Sequence, residues 1–387
     1  MNIKSLLLGS AAALVAVSGA RAADAVVVAE PEPMEYVRVC DVYGAGFYYI
    51  PGTETCLKVG GYMRYDIGVG KGDYGGLRDV LDKKDYLEYL AGERDFADVR
   101  THDTYYKRAR AAIQLDARSE TELGTLRAYM HLNFDWDSRR VGVFEEVDGE
   151  DVQIGWLSQA GGTAAKINHA FIELGGFRIG KTDSLFSTIT GYAGNVIADD
   201  QLGGYGPFDT HQIAYTYTGG NGFSATIGVE EGTDEYTIDS YVPHVVGGAA
   251  FTQGWGGVSG VVGYDSVYEE WAGKVRLDVN VNDQLSLFVM GGYGTDDHVL
   301  RSFYKTWGGN WAVWGGGTYK FNEKASFNIQ ASYFENKDVA IAANVAYNIV
   351  PGLTITPEVT WSSWHNDVTK EKIDDGFGGF LRFQRSF

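Results

Sequence analysis

The sequence predicts an all-β fold, a sixteen-stranded antiparallel transmembrane β-barrel with short turns at one end and long loops at the other. Three observations predict it. Apolar and polar side chains alternate every second residue along most of the chain, short and long connections alternate, and aromatic residues sort to both ends of the apolar faces.

The alternation is clearest in TLRAYMHLNFDW (125–136). Leu126, Ala128, Met130, Leu132, Phe134 and Trp136 fall on one face, and Arg127, Tyr129, His131, Asn133 and Asp135 on the other. A period of two over this length is a β-strand with one greasy and one wet face. KVGGYMRYDIG (58–68), RARAAIQLDAR (108–118), WAGKVRLDVN (271–280), ASFNIQASY (325–333) and LTITPEVTW (353–361) repeat the pattern. Sixteen strands are expected in all, near 57–68, 108–118, 125–136, 167–174, 177–181, 211–218, 223–230, 244–251, 257–265, 271–280, 285–293, 310–321, 325–334, 339–349, 353–361 and 376–387. Those starting at 167, 177 and 244 alternate least cleanly.

Short connections such as Gly175-Gly176, GGNG (219–222), NEK (322–324) and VPG (350–352) carry the Gly and Asn of tight turns. The long ones are 69–107, 137–166, 181–210, 294–309 and 362–375. A propeller would show a blade repeat of about 40–45 residues, and none is found.

If the greasy face meets lipid, aromatics should form a girdle at each end of it. At the long-loop end that face carries Trp136, Tyr264, Trp271, Tyr293, Trp311, Tyr333 and Trp361. At the other end it carries Phe177, Tyr217, Phe223, Tyr319, Phe321, Tyr347 and Phe387. Trp311 to Tyr319 spans roughly 26 Å of strand, which a tilt near 40° reduces to about 20 Å of membrane normal. The greasy face therefore points at lipid, and the charged face lines a wet lumen.

The N-terminus, MNIKSLLLGSAAALVAVSGARA, has the layout of a secretory signal peptide cleaved after Ala22. Its apolar run is too short for a spanning helix, which needs about 20 residues. The expected division is a signal peptide over 1–22, a periplasmic segment over 23–56 and the barrel over 57–387. Cleavage removes Lys4 and Arg21 and takes the net charge from −19 to −21. So acidic a chain does not suit nucleic acid. Cys40 and Cys56 are the two cysteines, and in an exported chain they read as one disulfide. A loop of that length is stabilised by about 3 kcal/mol on the chain-entropy account.

Sixteen strands enclose a channel. Arg64, Arg110, Arg127, Arg178 and Arg382 face inward on the first, second, third, fifth and last strands, which closure gathers into one basic wall. The loop 181–210 holds Leu185, Phe186, Ile189, Val196 and Ile197 without alternation. Folded inward, it would narrow the pore and set Asp183, Asp199 and Asp200 opposite the arginines. The acids and the net charge point to a modest cation preference, and the arginines oppose it.

An enzyme is not expected. GKGDYG (70–75) fits G-x-G-x-x-G but sits in a long loop, and neither HExxH nor G-x-S-x-G occurs. His131 and His169 read as scattered lumen polarity rather than a metal site, and no cofactor is expected.

MNIKSLLLGSAAALVAVSGA, EYVRVCDVYGAGFYYIPGTETCLKVGGY, SETELGTLRAY, NHAFIELGGFRIG, YTGGNGFSATI, DEYTIDSYVPHVVGG, GWGGVSGVVGYDSVYEEWAGKVRLDVN, ITPEVT and RFQRSF together carry a resemblance. With them the chain resembles the general porins of alphaproteobacteria, of the Brucella and Rhizobium type. The resemblance implies a homotrimeric barrel among the lipid and lipopolysaccharide of the outer membrane, passively admitting small hydrophilic molecules. It also implies that the third long loop folds into the lumen, and that the terminal Phe387 is read by the barrel-assembly machinery. Arg385 departs from the apolar residue more usual there, and the charged loops 69–107 and 137–166 are variable in the family, so surface contacts do not carry over. Two rival readings are a barrel that only displays loops, as an adhesin or receptor, and a substrate-specific channel with aromatic residues along its lumen.

Overall fold

The computed structural model describes residues 38–71, 75–162, 165–200 and 203–387. The signal peptide, the start of the segment 23–56 and the middle of GKGDYG lie outside them.

All sixteen expected strands are present. Numbered in chain order they are β1 (Cys56–Gly70), β2 (Tyr106–Thr121), β3 (Gly124–Val147), β4 (Lys166–Leu174), β5 (Phe177–Thr182), β6 (Thr210–Thr218), β7 (Phe223–Glu230) and β8 (His244–Gln253). The second half comprises β9 (Gly256–Asp265), β10 (Glu270–Asn280), β11 (Leu285–Gly294), β12 (Trp311–Lys320), β13 (Ala325–Phe334), β14 (Val339–Val350), β15 (Leu353–His365) and β16 (Lys372–Ser386). Each pairs antiparallel with the next, and β16 returns to β1 with Asp66 opposite Arg382. Closure leaves no free edge, so every wall strand finds its backbone partners inside the membrane.

The outer face is the greasy one. Val275, Val289, Ile329 and Val359 are exposed at mid-strand, and Trp136, Trp271, Tyr293, Tyr217 and Phe321 toward the ends. No helix among the described residues is long and apolar enough to cross a membrane.

Two expected loops have structure of their own. The upper half of β3 runs past the wall and pairs with a further strand, Glu150–Gly162. Asp148 and Gly149 turn this hairpin with φ of 55° and 84°, the two positive angles of a type I′ turn. In the loop 69–107, the strand Leu77–Leu81 pairs with Thr101–Thr104 around helix α1 (Lys83–Leu90). Asp82 caps α1, accepting from the amides of Lys84 and Asp85 at 3.0 Å. Asp85 is buried and bridges Arg100 at 2.6 Å. The Arg100 hydrogen bond holds its carboxyl well below the usual carboxylate range.

Cys40 and Cys56 are joined in a disulfide. With Phe47 they make a small core at the short-turn end. There the Arg118 guanidinium lies over the Phe47 ring at 5.1 Å, and Tyr43 donates to Glu120 at 2.7 Å.

The main apolar core lies inside the barrel. Leu185, Phe186, Ala193 and Tyr205 from the loop after β5 pack with Phe303, Tyr304 and Trp307 from the connection after β11. Both loops rest on inward wall residues, among them Val246, Val261, Met290, Trp314 and Phe334. Glycines make the seat: a Cβ at Gly263 would meet Tyr304 at 2.6 Å, and one at Gly292 would meet Trp307 at 2.9 Å.

Candidate functional site

The loop between β5 and β6 turns into the lumen immediately after β5. Ser184 caps the single-turn helix α2 (Leu185–Thr188), accepting from the Phe186 amide at 3.1 Å. The Glu230 carboxylate on β7 fixes this start. It accepts from Ser184 Oγ and the Leu185 amide, each at 2.7 Å, and from the Tyr304 hydroxyl at 3.2 Å.

Further along, Arg276 on β10 donates to the Tyr192 carbonyl at 2.5 Å, and Lys274 Nζ donates to that of Tyr205. Lys274 is fully buried, with the Phe186 ring 4.5 Å from its ammonium. A second carboxylate, Glu358 on β15, holds the far side. It accepts from the Ile197 and Ala198 amides and, at 2.8 Å, from Asn344 Nδ2. Gln330 and Trp314 donate to the carbonyls of Asp199 and Gly203 at 2.8 and 3.2 Å. The loop thus lies on the inner wall from β7 to β15.

The uncovered arc runs from β16 through β1 to β5 and carries the five predicted arginines. Register places Arg64 opposite Arg110 and next to Gln384. Most of these arginines have a carboxylate neighbour on an adjacent strand. Arg110 makes a two-pronged pair with Asp135, both contacts at 2.6 Å. Arg127 bridges Asp116 at 3.0 Å and Glu173 at 2.8 Å, and Arg178 also meets Glu173 at 2.7 Å. Arg382 and Arg108 share the buried Asp66 at 2.9 and 2.7 Å. Arg64 instead donates to the neutral amide of Gln384 at 2.9 Å and lies 4.5 Å over the Tyr62 ring. Arg127 lies 4.8 Å over Tyr129 in the same way.

Two of the three predicted loop acids, Asp183 and Asp199, are engaged within the loop. Asp183 accepts from the Tyr192 hydroxyl at 2.6 Å and Asp199 from that of Tyr205 at 2.8 Å. Asp200 lines a cleft with Thr306, Asn336, Asp338 and Asp367. Burial, and then the charge of Asp200, push the Asp199 carboxyl up to about 6. Asp199 sits on the loop rather than on a spanning strand. It is ionised above that value and neutral below it, so raising the pH from 5 to 7 adds negative charge beside the lumen. The expected result is a reversal potential that moves toward cation preference over that window, and that moves less in Asp199→Asn.

Sequence reasoning missed the two loop anchors, Glu230 and Glu358, and the buried cations Lys274 and Arg276 beneath the loop. It also did not foresee that the arginines are matched by Asp66, Asp116, Asp135 and Glu173. The alternation puts these residues on the inner face, but only cross-strand register tells which of them meet.

This geometry is matched by known proteins. The family described as the Porin subfamily matches residues 24–377. The chain belongs to the porin family. It is 49% identical over 400 residues to Porin Omp2a of Brucella melitensis and 47% identical over 401 residues to Porin Omp2b of Brucella abortus, with all of each chain covered. The fold is also that of the outer membrane channel DcaP of Acinetobacter baumannii, at a TM-score of 0.62 and 16% identity, over 88% of this chain and 99% of that one. A Rhodopseudomonas blastica porin matches at 0.53 and 13% identity, over 86% and 100%. This porin is a general diffusion channel of the outer membrane, and its family and fold indicate a channel rather than an enzyme.

Proposed function

We propose that this porin works as a homotrimer whose pores select small hydrophilic solutes first by size and only mildly by charge. The observation that carries this reading is the one-sided seat of the loop. Bulk fills the β7–β15 side, leaving the β16–β5 arc as the wall that a solute passes. On that arc Asp66, Asp116, Asp135 and Glu173 pair with Arg108, Arg110, Arg118, Arg127, Arg178 and Arg382, so the positive charge of the wall is reduced though not cancelled. Pairing weakens the net field of the wall, and the acidic mature chain as a whole, at −21 once Lys4 and Arg21 are removed, outweighs what remains and sets the sign. The result is a modest cation preference that fades as salt screens it.

Substrate-specific stacking is disfavoured, because Tyr62 and Tyr129 already hold arginines on their faces. Lipopolysaccharide around the aromatic girdle, and the assembly machinery reading Phe387, complete the proposed partners. Phe387 is exposed, while its backbone exchanges hydrogen bonds with Gly61 at 3.1 and 3.2 Å.

The test is to refold residues 23–387, add them to a planar lipid bilayer and record current under a salt gradient. Current rising in steps and closing in thirds, with a small reversal potential of cation sign, is the expected outcome. A folded barrel that inserts and stays silent favours the display-scaffold reading, and a strong anion potential overturns the charge balance argued above.

A further inference from the structure

On the open arc, His131 of β3 and His169 of β4 stand directly opposite each other in the strand pairing. Their ring centroids are 5.5 Å apart. A chain of hydrogen bonds fixes which nitrogen of His169 carries a proton. Asn133 Nδ2 donates to Asn168 Oδ1 at 3.2 Å, so Asn168 turns its own Nδ2 toward His169 Nε2, also at 3.2 Å. Nε2 therefore accepts, and Nδ1 donates to Thr182 Oγ1 at 2.8 Å. Beside it, His131 Nε2 and Asn133 Oδ1 are buried with no hydrogen-bond partner. Both residues are more than nine-tenths buried, at 8% and 3% exposure. Leaving a buried polar atom unmatched is unfavourable, because the water it gave up on folding is not replaced. Two unmatched atoms on β3 thus stand across the strand pairing from an acceptor on β4 that is held by a long amide contact.

We propose that His131, His169 and Asn133 form a binding site for a divalent transition-metal ion of the zinc, nickel or copper class, set into the lumen wall. Two imidazole nitrogens about 2.0–2.1 Å from a shared tetrahedral ion place their ring centroids roughly 5.2 Å apart, against the 5.5 Å found. Imidazole suits these metals, whereas magnesium and calcium require oxygen ligands. Thr182 orients His169 from behind, as second partners of metal-bound histidines do. The ion takes the place of the Asn168 amide on His169 Nε2. No cluster of three His, Cys, Asp or Glu side chains occurs among the described residues, so water completes the shell and the ion stays exchangeable. Bound on the arc that carries Arg64, Arg110 and Arg127, it adds two positive charges where solutes pass and turns the pore against cations.

The inference rests on the pore reading only for access to the lumen, and two readouts separate them. Cobalt(II) titrated into the refolded mature chain in detergent should give a saturable visible absorption that zinc displaces. His131→Gln and His169→Gln should each abolish it, and Thr182→Val should weaken binding about 10-fold or more. In bilayers, zinc should lower the cation preference of the wild type, chelator should restore it, and magnesium at the same concentration should not act. Absence of a saturable cobalt signal in the wild type overturns the site. So does its survival in both histidine variants, each checked for folding by heat-modifiable migration. A chain that conducts but binds no cobalt refutes this inference alone. One that binds cobalt but never conducts refutes the pore reading and leaves the site standing.

Discussion

Glu358→Ala gives larger and noisier single-channel currents. The Glu358 carboxylate is the acceptor for two loop amides, Ile197 and Ala198, and for Asn344. Hydrogen bonds to a charged group contribute about 1.5–3 kcal/mol each, so truncation removes on the order of 3 kcal/mol or more from the loop's attachment. The wall keeps its backbone ladder and loses only the Asn344 side-chain contact between β14 and β15. The segment near Asn195–Asp199 then leaves β14 and β15, and the cross-section open to ions grows. Glu358→Gln retains an oxygen acceptor and the shape, and should fall between the two. Single-channel recordings of the three proteins check this, and unchanged current in the alanine variant shows that the loop does not depend on this anchor.

Val289→Arg produces the largest loss of stability expected from one substitution on the outer face. Val289 is exposed on β11, between Leu277 and Gly315 on its neighbours. An arginine at the bilayer midplane of such a barrel costs about 2–4 kcal/mol. Ser224→Arg, on the inner face of β7 near the short-turn end and with no side-chain hydrogen bond to lose among the described residues, should change stability by no more than about 0.5 kcal/mol, while shifting the reversal potential. Urea unfolding in lipid vesicles reads the first effect and a salt-gradient recording the second. Equal stability of the two variants would mean that the valine does not meet lipid.

The wall was legible because lipid on one side and water on the other impose a period of two on each strand. Where that contrast lapses, the signal weakens for a physical reason. In β8, Val246 faces inward yet is apolar, because loop residues cover it, and Gly248 faces Ile189. β5 is short because the chain turns into the lumen after Thr182. The hairpin beyond the wall, which packs on Val80 and Leu81 rather than on lipid, shows no such period, although Asp148-Gly149 marks its turn. The inward loop was legible from its apolar residues, and the arginine arc from alternation with closure. Neither reading reaches the pairing of Arg110 with Asp135 or the clasp of Glu230 on Leu185. Those depend on stagger between strands and on where a non-periodic loop comes to rest. The fold of residues 295–310 onto that loop gave no warning either, since Phe303, Tyr304 and Trp307 follow neither a strand nor a helix period.

Closure through the last strand has a consequence for biogenesis. Arg64 meets Gln384 and Gly61 meets Phe387, contacts between residues more than 300 positions apart. β1 has β2 on one side but lacks its second partner until the final residues have been exported. Ribosomal synthesis and translocation must therefore finish before the barrel can close. A premature stop even a dozen codons from the end leaves two raw edges open to aggregation. Such an allele should behave as a null, with proteolysis of the export intermediate rather than a leaky pore as its phenotype.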